Sequence, residues 1–307
     1  MQASTIKILE VGPRDGLQSV KSIMPTAQKV RWIRGLFEAG LTEIEIGSFV
    51  PPSVVPQMAD MPEVAQAVTP IEGLLAVALV PNLRGAQRAV EAGVNRLTIP
   101  VSVSEAHSRA NVRKSRQEMM EEVGSILRWR SEQGLSVRLE AGLSTAFGCS
   151  ITGPVSEDDV IAMAETLAEM GVDEVGLSDT SGLGNPAQVR RLFTRLIHAI
   201  GPKAGAAHMH NTRGLGLANC LAAYDVGVRS FDSSQAGLGG CPFAPGASGN
   251  VVTEDLVFMF ESMGVRTGVD LDRLIACREI LQQGLPAETL YGMTPGAWPL
   301  PGVGRPQ

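Results

Sequence analysis

Two histidines separated by a single residue, His208 and His210, are the part of this sequence whose types and spacing most directly predict chemistry. Alternate side chains of a β-strand lie on one face, so both imidazoles can point into the same space. A small, apolar run over residues 203–207 precedes them as a short buried strand would, and Gly214 opens the predicted helix that follows. The spacing predicts a metal site at the C-terminal end of a strand. The alternative is that two histidines end a strand for structural reasons alone.

Other polar residues fall where further predicted strands end. They are Arg14 and Asp15 after the first strand, Glu45 in the second, Asp179 at the end of the sixth, and Cys241 and Asn250 in the loop after the eighth. In an α/β barrel these strand ends meet at one mouth, so we expect the side chains to converge. Two imidazoles, an aspartate and an amide oxygen form a ligand set that suits Mg²⁺ or Mn²⁺ better than Zn²⁺. Glu45 or Asp179 could instead be a buried carboxylate that bonds backbone or an arginine.

The chain alternates short β-branched or apolar runs with longer helical patterns. Strands are predicted at 5–10, 43–47, 74–79, 96–101, 137–141, 174–178, 205–210 and 229–232. Helices are predicted at 26–39, 83–92, 115–133, 156–170, 186–200, 215–225 and 253–263.

Four of these helices end in a glycine followed by an apolar residue, as at Gly40, Gly93, Gly171 and Gly227, which is typical of a helix C-cap. A strand-helix unit repeated about eight times predicts a TIM (β/α)8 barrel, in one domain over 1–307. A doubly wound open sheet is the alternative, but no Gly-x-Gly-x-x-Gly follows the first strand. We predict an additional C-terminal helix within 270–290, from Leu271 to Leu285, and a flexible tail over 295–307.

Composition excludes several classes of protein. The chain has 307 residues and a net charge of -6 without a Lys/Arg-rich run, which argues against nucleic acid as a partner. No apolar run is long enough to cross a membrane and no signal-type segment opens the chain, so we predict a cytoplasmic protein. The four cysteines are widely spaced and indicate neither a disulfide framework nor a zinc knuckle.

Longer motifs carry a resemblance to a known family. Residues 10–18 read EVGPRDGLQ, residues 236–242 read AGLGGCP and residues 246–257 read GASGNVVTEDLV. Shorter motifs lie at 48–50 and 55–58. Together these motifs resemble 3-hydroxy-3-methylglutaryl-CoA lyase, and the resemblance covers nearly the whole chain. The resemblance implies a divalent-metal-dependent retro-Claisen cleavage of an acyl-CoA, to acetyl-CoA and acetoacetate, as in leucine degradation.

The resemblance also implies roles for single residues. Asp15, His208, His210 and Asn250 match the family's metal ligands, and His208 is counted among the catalytic residues as well. Arg14 would stabilise the developing enolate oxyanion with a charge that does not titrate. Cys241, in a loop rich in glycine, would protonate the enolate carbon, and an inert core thiol is the alternative. Glu45 and Asp179 would orient ligands or relay protons.

Two segments depart from the family pattern. Residues 211–213 read Asn-Thr-Arg where the family has Asp-Thr-Tyr, and residues 52–54 read Pro-Ser-Val where it has Pro-Lys-Trp. The second change replaces a cation and a large ring with small residues at the functional end. A citramalyl-CoA or a branched 3-hydroxyglutaryl-CoA is therefore an alternative substrate, unless Arg213 closes the same volume.

Two other classes of function remain open. A Claisen-type synthase is disfavoured because isopropylmalate synthases carry a further C-terminal region, for which the residues after Leu271 leave no room. A non-catalytic scaffold would be expected to have lost the polar set, which is present here. We also predict a homo-oligomer, specifically a dimer.

Overall fold

Eight parallel strands close into a barrel in the computed structural model, which describes residues 5–239 and 249–298. The strands are β1 Lys7–Glu10, β2 Glu43–Ser48, β3 Leu75–Leu79, β4 Arg96–Ser102, β5 Arg138–Ser144, β6 Glu174–Ser178, β7 Ala204–His208 and β8 Ser230–Ser233. Each strand pairs with its sequence neighbours, and β1 pairs with β8, with Leu9 opposite Asp232. The predicted TIM barrel is confirmed, and the open sheet is excluded because both edge strands are paired.

The strand ends differ from the prediction by a few residues. Thr5 lies outside β1 and makes a single bridge to Arg266. β7 ends at His208, and His210 lies just beyond it in an isolated bridge with Asn250. This bridge brings the segment after β8 against the end of β7.

Twelve α-helices occur in the described ranges. They are α1 Leu17–Ser19, α2 Thr26–Glu38, α3 Met61–Val68, α4 Leu83–Glu91, α5 Glu105–Val112, α6 Arg116–Glu132, α7 Glu157–Met170, α8 Pro186–Ile200, α9 Gly216–Asp225, α10 Thr253–Ser262, α11 Leu271–Ala276 and α12 Arg278–Gly284. The predicted helix from Leu271 to Leu285 is thus two helices that meet at Cys277.

Local sequence signals explain where the helices begin and end. The side chains of Asn82, Ser104, Ser156 and Asn185 each accept a backbone N–H in the first turn of α4, α5, α7 and α8. α6 begins with a complete capping box. The four glycines predicted to follow helices all have positive φ, between 87° and 111°.

The main hydrophobic core is formed by buried apolar residues of the strands and of the helices around them. At the N-terminal end of the barrel, Arg96 bonds the carboxylates of Glu43, Glu140 and Glu174. We call these four residues the basal ion-pair layer. The only apolar cluster separate from the main core among the described residues is Leu9, Val11 and Val77, with Leu75 packed against it.

The C-terminal segment packs on the barrel as far as it is described. Trp298 Nε1 donates to Asp272 Oδ1 at 2.7 Å, and the Trp298 ring meets Phe258 edge-on. The remainder of the predicted tail, residues 299–307, lies outside the described residues. Within the described ranges the cysteines are free and buried, and no helix has both the length and the apolar character needed to span a bilayer.

Candidate active site

A single π-helical turn, Gly12–Gly16, follows β1 and positions Arg14 and Asp15 at the barrel mouth. The backbone N–H groups of Arg14, Asp15 and Gly16 all point to the carbonyl oxygen of Val11, at 3.1, 2.7 and 3.4 Å. The buried carboxyl of Glu10 accepts the N–H of Gly12 at 2.8 Å. The turn is therefore held at both its start and its middle, which fixes the direction of the two side chains.

Asp15, His208 and His210 form a compact cluster. The Nε2 atoms of the two imidazoles lie 3.1 Å apart, and Asp15 Oδ2 lies 3.8 Å from His208 Nε2 and 3.9 Å from His210 Nε2. One ligand atom from each residue falls within 4.8 Å of the others, a spacing that allows a shared metal ion. The cluster combines residues from the turn after β1 and from the end of β7.

Asn250 completes this arrangement. Its Nδ2 donates to Asp15 Oδ2 at 2.7 Å, while its buried Oδ1 has no hydrogen-bond partner among the described residues. An unpaired buried amide oxygen beside two facing imidazole nitrogens and a carboxylate fits the donor set of a divalent cation. The four predicted ligands are thus brought together, and their chemistry fits a metal.

Asp232, which sequence reasoning did not select, also belongs to the site. Its Oδ2 lies 3.1 Å from His208 Nδ1, and the two residues are register partners on β8 and β7. A carboxylate at Nδ1 holds the proton there and leaves the Nε2 lone pair facing the cluster. Asp232 is the last residue of the predicted eighth strand, and this position could have identified it as a candidate site residue.

Arg14 lies between two carboxylates. Its Nε donates to Glu45 Oε2 at 2.5 Å and its Nη1 donates to Asp15 Oδ1 at 2.7 Å. Glu45 is buried in β2, and its Oε1 has no partner among the described residues. The guanidinium is therefore fixed in orientation beside the cluster.

The pKa values in the site reflect burial opposed by neighbouring charge. Burial raises the pKa of Asp15, but Arg14, the two imidazoles and the bond from Asn250 together hold it well below its usual range. Burial raises the pKa of Glu45 to about 7 despite its ion pair with Arg14. Burial and the nearby His208 lower the pKa of His210 to about 4. His210 is therefore neutral at pH 7, with a lone pair available to a cation.

A cavity of about 390 Å³ opens onto this cluster. Its lining includes both histidines, Asp15, Arg14 and Asp232 at the reacting end. Val54, which is 62% exposed, lies at the rim.

Two residues predicted at the functional end face elsewhere. Asp179 Oδ1 accepts the N–H groups of Leu183 and Gly184 at 2.9 and 3.1 Å, so it holds the loop after β6. Arg213 Nη1 donates to the carbonyl oxygens of Ser181 and Gly182 and is not part of the cavity lining. Cys241 lies outside the described residues.

A closed (β/α)8 barrel with a carboxylate, two imidazoles and an arginine at the C-terminal ends of its strands defines the class of TIM barrels whose mouth could hold a metal ion. Residues 5–281 match the HMGL-like family model, and the chain belongs to that family.

Curated relatives match most of the chain. Mitochondrial hydroxymethylglutaryl-CoA lyase of Mus musculus is 42% identical over 284 residues, which cover 92% of this chain and 87% of the mouse protein. Hydroxymethylglutaryl-CoA lyase YngG of Bacillus subtilis is 41% identical over 91% of this chain and 92% of its own.

Solved structures are similar to this chain in both fold and sequence. An HMG-CoA lyase from Acinetobacter baumannii, in complex with coenzyme A and 3-methylmalate, has a TM-score of 0.91 and 39% identity, covering 98% of this chain and 97% of that one. Hydroxymethylglutaryl-CoA lyase from Pseudomonas aeruginosa has a TM-score of 0.90 and 36% identity, covering 97% and 98%. The carboxyl transferase domain of Rhizobium etli pyruvate carboxylase, at 18% identity and a TM-score of 0.71, shares the fold.

Proposed function

We propose that the protein is a carbon-carbon lyase that cleaves 3-hydroxy-3-methylglutaryl-CoA to acetyl-CoA and acetoacetate. The observation that carries this proposal is the convergence of Asp15, His208 and His210 with the fixed guanidinium of Arg14 at one barrel mouth. Membership of the HMGL-like family and relatives named hydroxymethylglutaryl-CoA lyase support the substrate. The Acinetobacter complex supports coenzyme A as part of the ligand.

We infer that Asp15, His208, His210 and Asn250 hold Mg²⁺ or Mn²⁺. A divalent ion in this set would act as a Lewis acid that lowers the pKa of a substrate hydroxyl and orients the oxygens beside it. Support for the ligand set comes from the unpaired Oδ1 of Asn250 and from the facing Nε2 atoms. Preference for these ions follows from the mixed nitrogen and oxygen donors.

The reaction needs one proton removed and one delivered. Loss of the C3 hydroxyl proton turns C3 into the ketone carbon of acetoacetate. The C2–C3 bond breaks, and its electron pair stays on C2 as the enolate of acetyl-CoA, which then takes up a proton at C2. Glu45 lines the cavity and is proposed to accept the first proton, because its Oε1 has no hydrogen-bond partner among the described residues. His208 is proposed to act through the metal ion that its Nε2 would hold.

Arg14 has the chemistry to stabilise the enolate oxygen. Its charge is permanent, and Glu45 and Asp15 fix its position before the substrate arrives. Asp232 is proposed to keep His208 in the tautomer that presents Nε2. Asp179 is proposed to position the loop after β6 and not to contact substrate.

Delivery of the second proton is assigned to Cys241 by its match to the family motif. We propose Cys241→Ser as its test, because a hydroxyl is a much weaker acid than a thiol. A homodimer and a cytoplasmic location remain predictions.

The first prediction tests the metal cluster. His210→Ala should remove one donor from the ligand set, so Mn²⁺ affinity should fall at least tenfold and metal-stimulated turnover of 3-hydroxy-3-methylglutaryl-CoA should be lost. Calorimetric titration with Mn²⁺ and an acetoacetate assay measure the two effects.

His198→Ala is the matched control, since His198 lies exposed on α8. It should keep wild-type affinity and turnover. If His210→Ala kept the turnover of the wild type after treatment with a chelator and dialysis, the metal assignment would be contradicted. Absence of any cleavage by the metal-loaded wild type would contradict the proposed function.

A further inference from the structure

Thr145, the residue directly after β5, has an unusual backbone conformation. Its φ is 61°, in the left-handed region, and the residue is 0% exposed. A β-branched side chain is strained there, because its Cβ substituents crowd the backbone. Among the described residues other than glycine, only Arg113 and Ala236 also have a positive φ. Such strain persists where surrounding contacts maintain it, and it concentrates at functional sites.

The hydroxyl of Thr145 joins two loops at the barrel mouth. It donates to Ser144 O at 2.6 Å and accepts the N–H of Ser104 at 3.2 Å. Ser104 is the N-cap of α5, and His107 and Asn111 of that helix line the cavity. Because both bonds need the hydroxyl in its observed place, they oppose relaxation of residue 145 to a negative φ.

The backbone at Thr145 contacts the loop after β6. The N–H of Thr145 donates to Thr180 Oγ1 at 3.0 Å, and the N–H of Ala146 donates to Ser178 O at 3.2 Å. Thr180 and Ser178 both line the cavity, and Ser178 is the register partner of His208. The left-handed residue therefore fixes the cavity wall beside the metal-binding cluster.

The bond from Thr145 leaves the Thr180 side chain with a proton to donate. A threonine hydroxyl has two lone pairs and one proton, and the N–H of Thr145 occupies one of the lone pairs. Within the described part of the chain, the Thr180 hydroxyl donates to no acceptor. Since Thr180 lines the cavity, its proton is available to an oxygen atom of a ligand.

We infer that Thr145 is a positioning residue for the lyase reaction, because it holds Thr180 so that the Thr180 hydroxyl donates to an oxygen of the substrate's acyl group. This inference rests on the proposed function. Thr145 is not part of the cavity lining, so it acts through Thr180. A donor that is oriented before the substrate arrives costs no reorganisation during the reaction.

A matched pair of variants tests the role of the hydroxyl. Thr145→Ser and Thr145→Ala both lack the γ-methyl group and differ by one oxygen atom. Thr145→Ser should keep kcat/KM for 3-hydroxy-3-methylglutaryl-CoA within about threefold of wild type, whereas Thr145→Ala should lower it about tenfold or more. Mn²⁺ affinity should stay within about twofold in both variants, since neither changes a proposed metal ligand. Equal kcat/KM of the two variants would overturn the inference.

A double-mutant cycle tests whether Thr145 acts through Thr180. Thr180→Val removes the hydroxyl, keeps the shape of the side chain, and should lower kcat/KM about tenfold or more. Addition of Thr145→Ala to Thr180→Val should then lower kcat/KM by less than about threefold, because the group to be positioned is gone. Losses that multiply would show that Thr145 has a separate structural role, and the inference would be wrong.

Two further variants complete the design. If Thr145→Ala does not fold, Thr145→Gly replaces it in the cycle, because glycine adopts a positive φ without strain and also lacks the hydroxyl. Thr166→Ala is the matched control, since the exposed Thr166 on α7 donates its hydroxyl to Ala162 O at 2.8 Å. It should keep the kcat/KM of wild type.

A binding measurement separates this inference from the proposed function. The affinity for free 3-hydroxy-3-methylglutarate is measured by calorimetry with saturating Mg²⁺, and no turnover is required. Affinity that falls in Thr145→Ala and in Thr180→Val, and is kept in Thr145→Ser, supports the positioning role even if no thioester is cleaved. Cleavage by wild type with equal affinities in all four proteins would sustain the lyase function and overturn the inference. Wild type that neither binds nor cleaves would overturn both.

Discussion

At the scale of single residues, the contact between Asp232 and His208 decides how the cluster can work. The carboxylate 3.1 Å from Nδ1 favours the neutral tautomer of His208 that carries its proton on Nδ1. The Nε2 lone pair then faces His210 and Asp15. The Nε2 atom of His208 would therefore already be oriented to donate its lone pair to a metal ion.

Asp232→Asn is expected to weaken this arrangement. An amide has one acceptor oxygen and no charge, so His208 would lose both its orientation and part of its basicity. Mn²⁺ affinity or kcat should fall about 10- to 100-fold, as for other residues that orient metal-binding histidines. Calorimetry with Mn²⁺ and steady-state kinetics measure the change.

Asp225→Asn is the control, because Asp225 makes an exposed ion pair with Arg190 at the end of α9. It should leave both quantities unchanged. If Asp232→Asn bound Mn²⁺ and turned over substrate like wild type, the carboxylate would have no positioning role.

The comparison of Asp179 with Asp232 shows what the sequence could and could not predict at this scale. Both carboxylates lie at the C-terminal end of a predicted strand, and only Asp179 was selected. In the structure, Asp179 accepts backbone N–H groups of its own loop, whereas Asp232 faces the cluster. The direction of a side chain at a strand end depends on register with neighbouring strands, which one sequence does not reveal.

At the scale of secondary structure, the turn after β1 depends on the buried carboxyl of Glu10. Glu10 Oε1 accepts N–H groups from Gly12 and Gln235, both at 2.8 Å, and Oε2 accepts the hydroxyl of Thr253 at 2.7 Å. One side chain thus joins the turn that carries Asp15, the loop after β8 and the start of α10. Glu10 contacts neither the cluster nor the cavity, yet it sets where both are built.

The stability contributed by Glu10 should depend on pH. Burial raises its pKa to about 8, from a value near 4.5 in an unfolded chain. Between these values the folded protein holds a proton that the unfolded chain has released, so stability is lost as pH rises through this window. Glu10→Gln does not titrate. Its free energy of unfolding should therefore improve relative to wild type from pH 5 to pH 8, measured by urea denaturation.

Glu63→Gln, at an exposed position in the first turn of α3, is the control and should show a constant difference from wild type. A constant difference for Glu10→Gln as well would mean that Glu10 is ionised throughout. If Glu10→Gln instead gained stability relative to wild type as the pH falls, the pKa of Glu10 would be lowered by folding, which would contradict the raised pKa.

Helix prediction succeeded for helices with several turns and failed for short ones. α6, with its capping box, was predicted almost to the residue, whereas α3 and α5 were missed. Both of these helices have only eight residues, and α3 carries a proline in its first turn, which the helix tolerates there. Short helices give too few turns for a clear hydrophobic period.

At the scale of the whole molecule, the basal ion-pair layer closes the barrel opposite the site. Arg96 is 4% exposed and pairs with three carboxylates. Arg96→Leu would leave the buried carboxyl of Glu140 without an ion-pair partner, whereas Lys7 and Arg138 still pair with Glu43 and Glu174. Removal of one member of a buried ion pair typically costs about 3–5 kcal/mol. We expect a loss of this order in the free energy of unfolding, measured by urea denaturation.

Arg109→Leu is the matched control, since Arg109 makes an exposed ion pair with Glu105. It should change stability by less than about 1 kcal/mol. Equal stability of the two variants would show that water reaches the basal layer and screens it.

Closure of the barrel is the part of the fold that the sequence could not decide alone. The repeated strand-helix units predicted eight strands and their order, because each unit is local. The pairing of β1 with β8 joins residues more than 200 positions apart, and no local pattern separates it from an open sheet. The predicted barrel placed the residues near both ends of the chain at one mouth, whereas the roles of single residues came from the family resemblance.

The same pairing has a consequence for biosynthesis. Asn250 bonds Asp15, and Thr253 and Gln235 bond Glu10, so the earliest and the latest parts of the site are made far apart in time on the ribosome. Until β8 and the segment after it have left the exit tunnel, β1 has an unpaired edge and the proposed metal site lacks one of its ligands. Contacts of such long sequence separation form slowly, and nascent chains with open strand edges are prone to aggregate. Added Mg²⁺ or Mn²⁺ should therefore not protect chains arrested before Asn250, and such chains are the expected clients of chaperones.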